Sequence, residues 1–174
     1  VEEVLISPSE AYSPHPKVDN DMKRQKAFLI IDILLLIITL AFIWLSSLES
    51  ASESAEKSEG LLIAIAPILE LFLSADRINE HMIRKLAHFI EFALLGGELI
   101  LLCVIDRRTR PQQVINCLSA SLAVAVIDEA LQLLSDRGPQ ITDVLLDFSG
   151  AVFGILFVLL IYVLVRMKKH RKQV

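Results

Sequence analysis

Apolar residues in this chain come in long blocks rather than in the alternation of a half-buried surface. The first block, "AFLIIDILLLIITLAFIWLSSL", runs from Ala27 to Leu48 and holds one charged residue, Asp32. A second runs from about Leu86 to Ile105, a third from about Val114 to Leu134, and a fourth from about Val144 to Val165. A helix needs about 20 mostly apolar residues to cross the hydrocarbon core of a bilayer. The pattern therefore predicts an all-α integral membrane protein with four transmembrane helices.

The stretch between the first two blocks, Glu49 to Lys85, has a different texture. It opens "ESASESAEKSEG", whose Ser- and Glu-rich composition reads as a solvated linker. "LLIAIAPILELFLS", Leu61 to Ser74, follows; it is short for a span and is interrupted by Pro67 and Glu70. A short external interfacial or re-entrant helix is the element it predicts. A fifth span would put the basic N-terminal and C-terminal clusters on opposite sides, so that reading is set aside.

Charge placement sets the expected orientation. Lys23, Arg24 and Lys26 precede the first span, Arg107, Arg108 and Arg110 separate the second from the third, and "RMKKHRKQV" follows the fourth. Positive residues favour the cytoplasmic ends of spans. With four spans all three clusters fall on one side, which predicts a multi-pass membrane protein with both termini cytoplasmic. The expected organisation is an N-terminal tail over 1–26, a membrane domain over 27–165 with its external segment at 49–85, and a basic tail over 166–174. Val1 to Asp21 is polar and Pro-containing, and Met22 looks like a natural start. The first residues read as a leader, an expression remnant or a disordered tail, and no function is drawn from them.

Composition agrees with the spans: 54% of the 174 residues are hydrophobic and the mean hydropathy is +0.58. The formal net charge of -4 adds little, since placement matters more than the sum. Cys103 and Cys117 both lie inside apolar blocks and read as small hydrophobes, with no disulfide framework or zinc site implied. Membrane lipids are the expected surroundings, and no nucleic-acid partner is expected.

The chemistry sits in the polar residues inside the spans, where ionisable groups are costly and mark functional sites by default. In "RKLAHFIEFALLGG" the spacings of four, three and seven put His88, Glu91 and Glu98 on one helical face with Arg84. "AVIDEALQLL" puts Asp128 and Gln132 on one face, with Glu129 beside them. "DVLLDFSGAVFG" aligns Asp143, Asp147, Gly150 and Gly154. The expected topology brings the three groups to one layer under the outer interface, with Glu98 nearer the midplane.

Each residue also has a plainer reading. Lys85 fits a snorkelling anchor. Asp143 fits an N-cap or first-turn acid. Gly150 and Gly154 form a G-x-x-x-G, read here as helix packing. Asp32 would pair with Lys26 or snorkel outside the site, and Asn116 reads the same way. The whole cluster could also be a structural inter-helix network.

These residues resemble the VanZ-like family of small bacterial membrane proteins, whose founding member is linked to resistance to the glycopeptide teicoplanin. The resemblance rests on "RKLAHFIEFALLG" and "DEALQLLSDRGPQITDVLLDFSGAVFG". It is strong over Arg84 to Gly154 and loose elsewhere. The family's characteristic positions fall on Lys85, His88, Glu91, Asp128, Glu129, Gln132, Arg137, Asp143, Gly150 and Gly154. Phe92 stands where many members have Tyr, Asp147 where Asn is usual, and the loop from Gln132 to Arg137 is short. The resemblance implies a part in glycopeptide resistance, which names a phenotype and not a reaction.

Three functional expectations follow. In the first, an outward-facing pocket binds a lipid-linked cell-wall precursor, a glycopeptide or another envelope ligand, with Arg84, Lys85 and Arg137 on its anionic group. In the second, the protein is an intramembrane enzyme: His88, Glu91, Asp128 and Glu129 act as general acid and base, or the carboxylates hold a divalent cation. No hydrolase, P-loop or zinc-protease motif accompanies them. In the third, the acids relay protons in a small transporter, although four spans are few and no inverted repeat is visible. No cofactor is required by the first reading.

Overall fold

The computed structural model describes residues 16–71, 78–106, 110–135, 138 and 140–171. Among the described residues five α-helices occur in the order α1 (Pro16–Ser47), α2 (Ala51–Leu69), α3 (Glu80–Ile105), α4 (Pro111–Gln132) and α5 (Ile141–Arg171). A short 3₁₀ turn, Leu133–Ser135, closes α4. Four stretches of the described residues are long and apolar enough to cross a membrane: Asn20–Ser47, Glu80–Ile105, Pro111–Ser135 and Ile141–Arg171. They are 28, 26, 25 and 31 residues long, above the length that about 30 Å of hydrocarbon demands. The all-α architecture read from the apolar blocks is the observed one.

Local chemistry sets the helix starts. Asn79 caps α3 by accepting from the Met82 amide, and Glu80 puts an acid in its first turn. Pro111 opens α4, where its missing N–H costs nothing. The Ser/Glu-rich segment departs from the linker expected of it. Ser50 and Glu53 form a capping box, and the chain is helical from Ala51 through Gly60 into the apolar run as far as Leu69. The Ser50 bonds also hold the exposed Glu53 carboxyl below its ordinary range. One helix thus replaces the expected linker and the start of the expected short helix; residues 72–74 of that segment lie outside the described residues.

The long helices alternate in direction. Ser135 of the 3₁₀ turn bonds the Ser47 carbonyl at the end of α1, and Lys85 near the start of α3 pairs with Asp143 at the start of α5. At the other end, Gln25 of α1 donates to the Ile105 carbonyl at the close of α3. The end of α1, the start of α3, the end of α4 and the start of α5 therefore share one end of the bundle, and α2 packs there against α3.

The tightest contact joins α3 to α5. A Cβ on Gly150 would lie 2.4 Å from the Phe89 carbonyl oxygen, and one on Gly154 would lie 1.9 Å from that of Ala93. A Cβ on Gly96 would meet the Ala151 carbonyl oxygen at 2.2 Å. The two backbones touch where small residues let them. One apolar core sits beside this seam, formed by Ile43, Phe92, Leu95, Ala125 and Ala151. Ile100, Cys117 and Ile155 form a second toward the opposite end. The Cys103 and Cys117 sulfurs are 4.0 Å apart as free thiols. Large apolar side chains such as Ile30, Ile37, Leu45, Leu94 and Leu160 point outward, as lipid contact requires.

Candidate functional site

The start of α3 supplies the first wall of a polar pocket. Its helical repeat puts Arg84, His88 and Glu91 on successive turns. Arg84 hydrogen-bonds the His81 ring at 3.1 Å and has no carboxylate partner among the described residues. Lys85, by contrast, is neutralised by Asp143 at 2.9 Å. That pair goes beyond the snorkelling anchor and the first-turn acid expected of the two residues separately. His88 Nδ1 lies 3.9 Å from Glu91 Oε2, too far for a hydrogen bond.

α4 contributes the deepest group. Asp128 is fully buried, accepting at Oδ1 from the Ser47 hydroxyl and at Oδ2 from Gln132 Nε2 at 3.3 Å. Glu129, also buried, accepts from the backbone amide of Gln140 and so ties the end of α4 to the start of α5. α5 adds Asp147, only 2% exposed, whose Oδ1 has no hydrogen-bond partner among the described residues. Glu91 Oε2 is likewise without one.

Glu91, Asp128, Glu129 and Asp143 all lie within electrostatic reach of Asp147. The structure thus brings His88, Glu91, Asp128, Glu129, Gln132, Asp143 and Asp147 together at one end of the bundle. Arg137, the remaining candidate, lies outside the described residues. Gly150 and Gly154 sit one and two turns beyond Asp147 at the α3 seam and not on the pocket.

Two cavities open on this cluster. One of about 290 Å³ is lined by Arg84, Lys85, His88, Gln132, Gln140, Asp143 and Asp147. The other, of about 340 Å³, lies between α1, α2 and α3, with Phe42, Leu61 and Ala87 as apolar walls and Glu49, Lys57 and Glu91 among its polar ones. Arg84 and His88 line both. Polar recognition in the first cavity can therefore be combined with an apolar group in the second. His88, Asp128 and Asp147 each offer a ligand atom, all within 4.8 Å of one another. One imidazole nitrogen with two carboxylate oxygens is a donor set that suits a divalent cation such as Zn²⁺ or Mn²⁺.

Some of the site escapes sequence reading. Ser47, fully buried, holds Asp128 from α1, a helix assigned no site residue. Its only signal is a hydroxyl at the end of an apolar run. Glu98 shares the face of His88 but sits away from the pocket, accepting from Thr39 at 2.9 Å. Asp32 neither snorkels nor pairs with Lys26: it is buried, within electrostatic reach of Glu98. Asn116 is exposed and bonds Gln112 and Gln113.

No curated protein and no solved structure matches the chain. A protein-family model described as VanZ/LLP1 matches residues 31–164, a stretch that runs from within α1 to within α5 and includes every residue of the pocket. That match covers most of the sequence, and the chain belongs to the VanZ/LLP1 family of membrane proteins.

Proposed function

We propose that the pocket binds the anionic head group of an amphiphilic cell-envelope ligand on the outer side of a bacterial cell membrane. Arg84 carries this reading. It is a cation without a carboxylate partner among the described residues, and it stands where the two cavities meet, the second of which has Phe42, Leu61 and Ala87 on its walls. A guanidinium presents a fork of donors to a phosphate or carboxylate. Gln132 and Gln140 line the same cavity and supply neutral polar contacts, while Phe42 and Leu61 receive the start of a lipid tail. Withholding such a ligand from a glycopeptide is the role this reading gives the protein in teicoplanin-type resistance.

The outward orientation is supported by charge. Lys23, Arg24, Lys26, Arg110, Lys168, Lys169 and Arg171 gather at the end of the bundle opposite the pocket. Positive residues mark cytoplasmic ends. Both termini are then cytoplasmic.

Native mass spectrometry of the full chain with a polyprenyl phosphate tests the reading. Arg84→Gln should weaken binding by about 10- to 100-fold, the worth of one charge-assisted hydrogen bond. A host expressing Arg84→Gln should also lose any protection against teicoplanin that the native chain confers. Unchanged binding in that variant refutes the assignment.

A second reading is favoured by the proximity of His88, Asp128 and Asp147. A divalent cation held there would sit at the pocket floor, because His88 and Asp147 line the pocket while Asp128 lies behind them. It would act as a Lewis acid on a bound phosphate. Metal analysis after incubation with Zn²⁺ or Mn²⁺ separates the two readings. One equivalent in the native chain, lost in Asp147→Asn and kept in Arg84→Gln, supports the metal; no retained metal leaves a binding site alone.

A further inference from the structure

The opposite end of the bundle holds a larger cavity, about 970 Å³, between the start of α1, the end of α3 and the last turns of α5. Its origin is in the packing. α1 and α5 each pack on α3 and on α4, so their ends flank the last turn of α3 with a cleft between them. Phe28, Val104, Ile105 and Val165 give the cleft apolar walls. Toward the helix ends Arg24, one turn before Phe28, and Arg166 and Lys169, one and four residues beyond Val165, line it with cations.

None of these three cations has an ion-pair partner among the described residues. Among the described residues Asp21 is the single carboxylate lining the cleft, so their three positive charges against one negative leave an excess of two. The Arg24 guanidinium sits 5.8 Å from the Phe28 ring centroid, which keeps it over the cleft wall. Gln25 donates to the Ile105 carbonyl at 2.7 Å, satisfying a negative helix-end group that would otherwise oppose an anion. Charge and apolar surface thus follow one another along the membrane normal, in the order of a phospholipid's head and tail.

We propose that this cleft binds an anionic phospholipid, its phosphate held by Arg24, Arg166 and Lys169 and an acyl chain laid against Phe28, Ile105 and Val165. The chemistry recognised is a phosphate ester carried on an apolar tail. Free phosphate would meet the cations and leave the apolar walls uncovered. A zwitterionic lipid would bring its own cation to a site that already has an excess. The volume lies within the roughly 300–1,000 Å³ of ordinary ligand sites. Basic pockets between transmembrane helices on a cytoplasmic side are suited to such head groups. A bound lipid would bridge α1 and α5 across the end of α3. This site is separate from the pocket around Arg84 and stands whether or not that pocket binds a ligand.

The full chain, purified in dodecyl maltoside, is to be titrated with dioleoyl-phosphatidylglycerol, dioleoyl-phosphatidylcholine and inorganic phosphate. Melting temperature and retained adducts in native mass spectra are the readouts. Phosphatidylglycerol should raise the melting temperature and persist as an adduct; the other two should do neither. Arg24→Gln combined with Arg166→Gln should weaken phosphatidylglycerol binding at least about tenfold. Lys168→Gln combined with Arg171→Gln removes the same charge from positions that do not line the cleft, and should change binding by less than about twofold. Equal losses in the two double variants would reduce the effect to bulk charge and overturn the site. Equal stabilisation by phosphatidylcholine would overturn the charge argument, and equal stabilisation by phosphate would overturn the lipid. The comparison of the three titrants needs no variant, so it holds even where a substitution unfolds the chain.

Discussion

Ser47, the last residue of α1, donates its hydroxyl to Asp128 Oδ1, a carboxylate buried in α4. One hydrogen bond thereby fixes the end of one span against the deepest acid of the pocket. Ser47→Ala should destabilise the protein by about 0.5–2 kcal/mol, the range of inter-helix side-chain bonds in membranes. Thermal unfolding in detergent measures this, and a melting temperature unchanged from the native chain would show that the hydroxyl does not hold Asp128.

The α3–α5 seam makes a sharper forecast. Gly154→Ala puts a methyl group 1.9 Å from the Ala93 carbonyl oxygen, and backbone cannot yield as a side chain can. The helices must separate, at a cost of about 3 kcal/mol. Gly97→Ala is the control: its Cβ would meet the Val158 methyl at 3.5 Å and the Gly154 carbonyl oxygen at 3.8 Å, both ordinary contacts. Size-exclusion profiles and melting curves should show Gly154→Ala disordered and Gly97→Ala close to native. The reverse order is incompatible with the seam.

Gly60 offers the opposite case. It lies inside α2, and a Cβ there would meet nothing within 4 Å. Gly60→Ala should therefore stabilise α2 by about 0.5–1 kcal/mol through lower backbone entropy in the unfolded chain. Amide exchange across Ala51–Leu69 should slow. Faster exchange would argue against the continuous helix.

The capping box predicts a pH dependence for the same helix. The Ser50 bonds lower the folded Glu53 carboxyl below its ordinary value of 4.5. A depressed acid contributes stability that is present above that ordinary value and is lost as pH falls through the folded one. Protection of the first turn of α2 should thus hold near pH 7 and drop below about pH 4.5. Exchange measured against pH in the native chain and in Glu53→Ala checks this: the variant should lose protection at neutral pH and show a smaller acid transition.

Orientation has its own test. In a background with Cys103 and Cys117 replaced, single cysteines at Ser54 and Gly138 should react with an impermeant maleimide added outside intact cells. Cysteines at Arg110 and Lys169 should react only after the membrane is opened. External labelling at Arg110 would invert the proposed topology and turn the Arg84 pocket inward.

Much of the architecture is determined locally and was legible in the chain. A span is a matter of length and hydropathy, and alternating direction follows from four consecutive spans. The same arithmetic puts His88, Gln132 and Asp147 near one end, because depth follows from counting residues at about 1.5 Å each. The Ser/Glu-rich segment shows where composition misleads. Its bulk polarity reads as linker, while Ser50 and Glu53 carry a capping box in four residues, and Ser58 is buried once the helix forms.

Rotation about each helix axis is what only the tertiary structure decided. Counting gives the depth of Asp32 but not its facing; packing of α1 on α3 buries it near Glu98 instead of letting it reach Lys26. Gly96, Gly150 and Gly154 govern how closely α3 and α5 approach, and that approach sets the separation of His88 from Asp147. Ser47 meets Asp128 only because α1 and α4 end at the same level and turn these faces together. Hydropathy is a property of one segment and survives in sequence. A pocket is a relation between segments, and it exists only after backbone contact has chosen which face of each helix meets which.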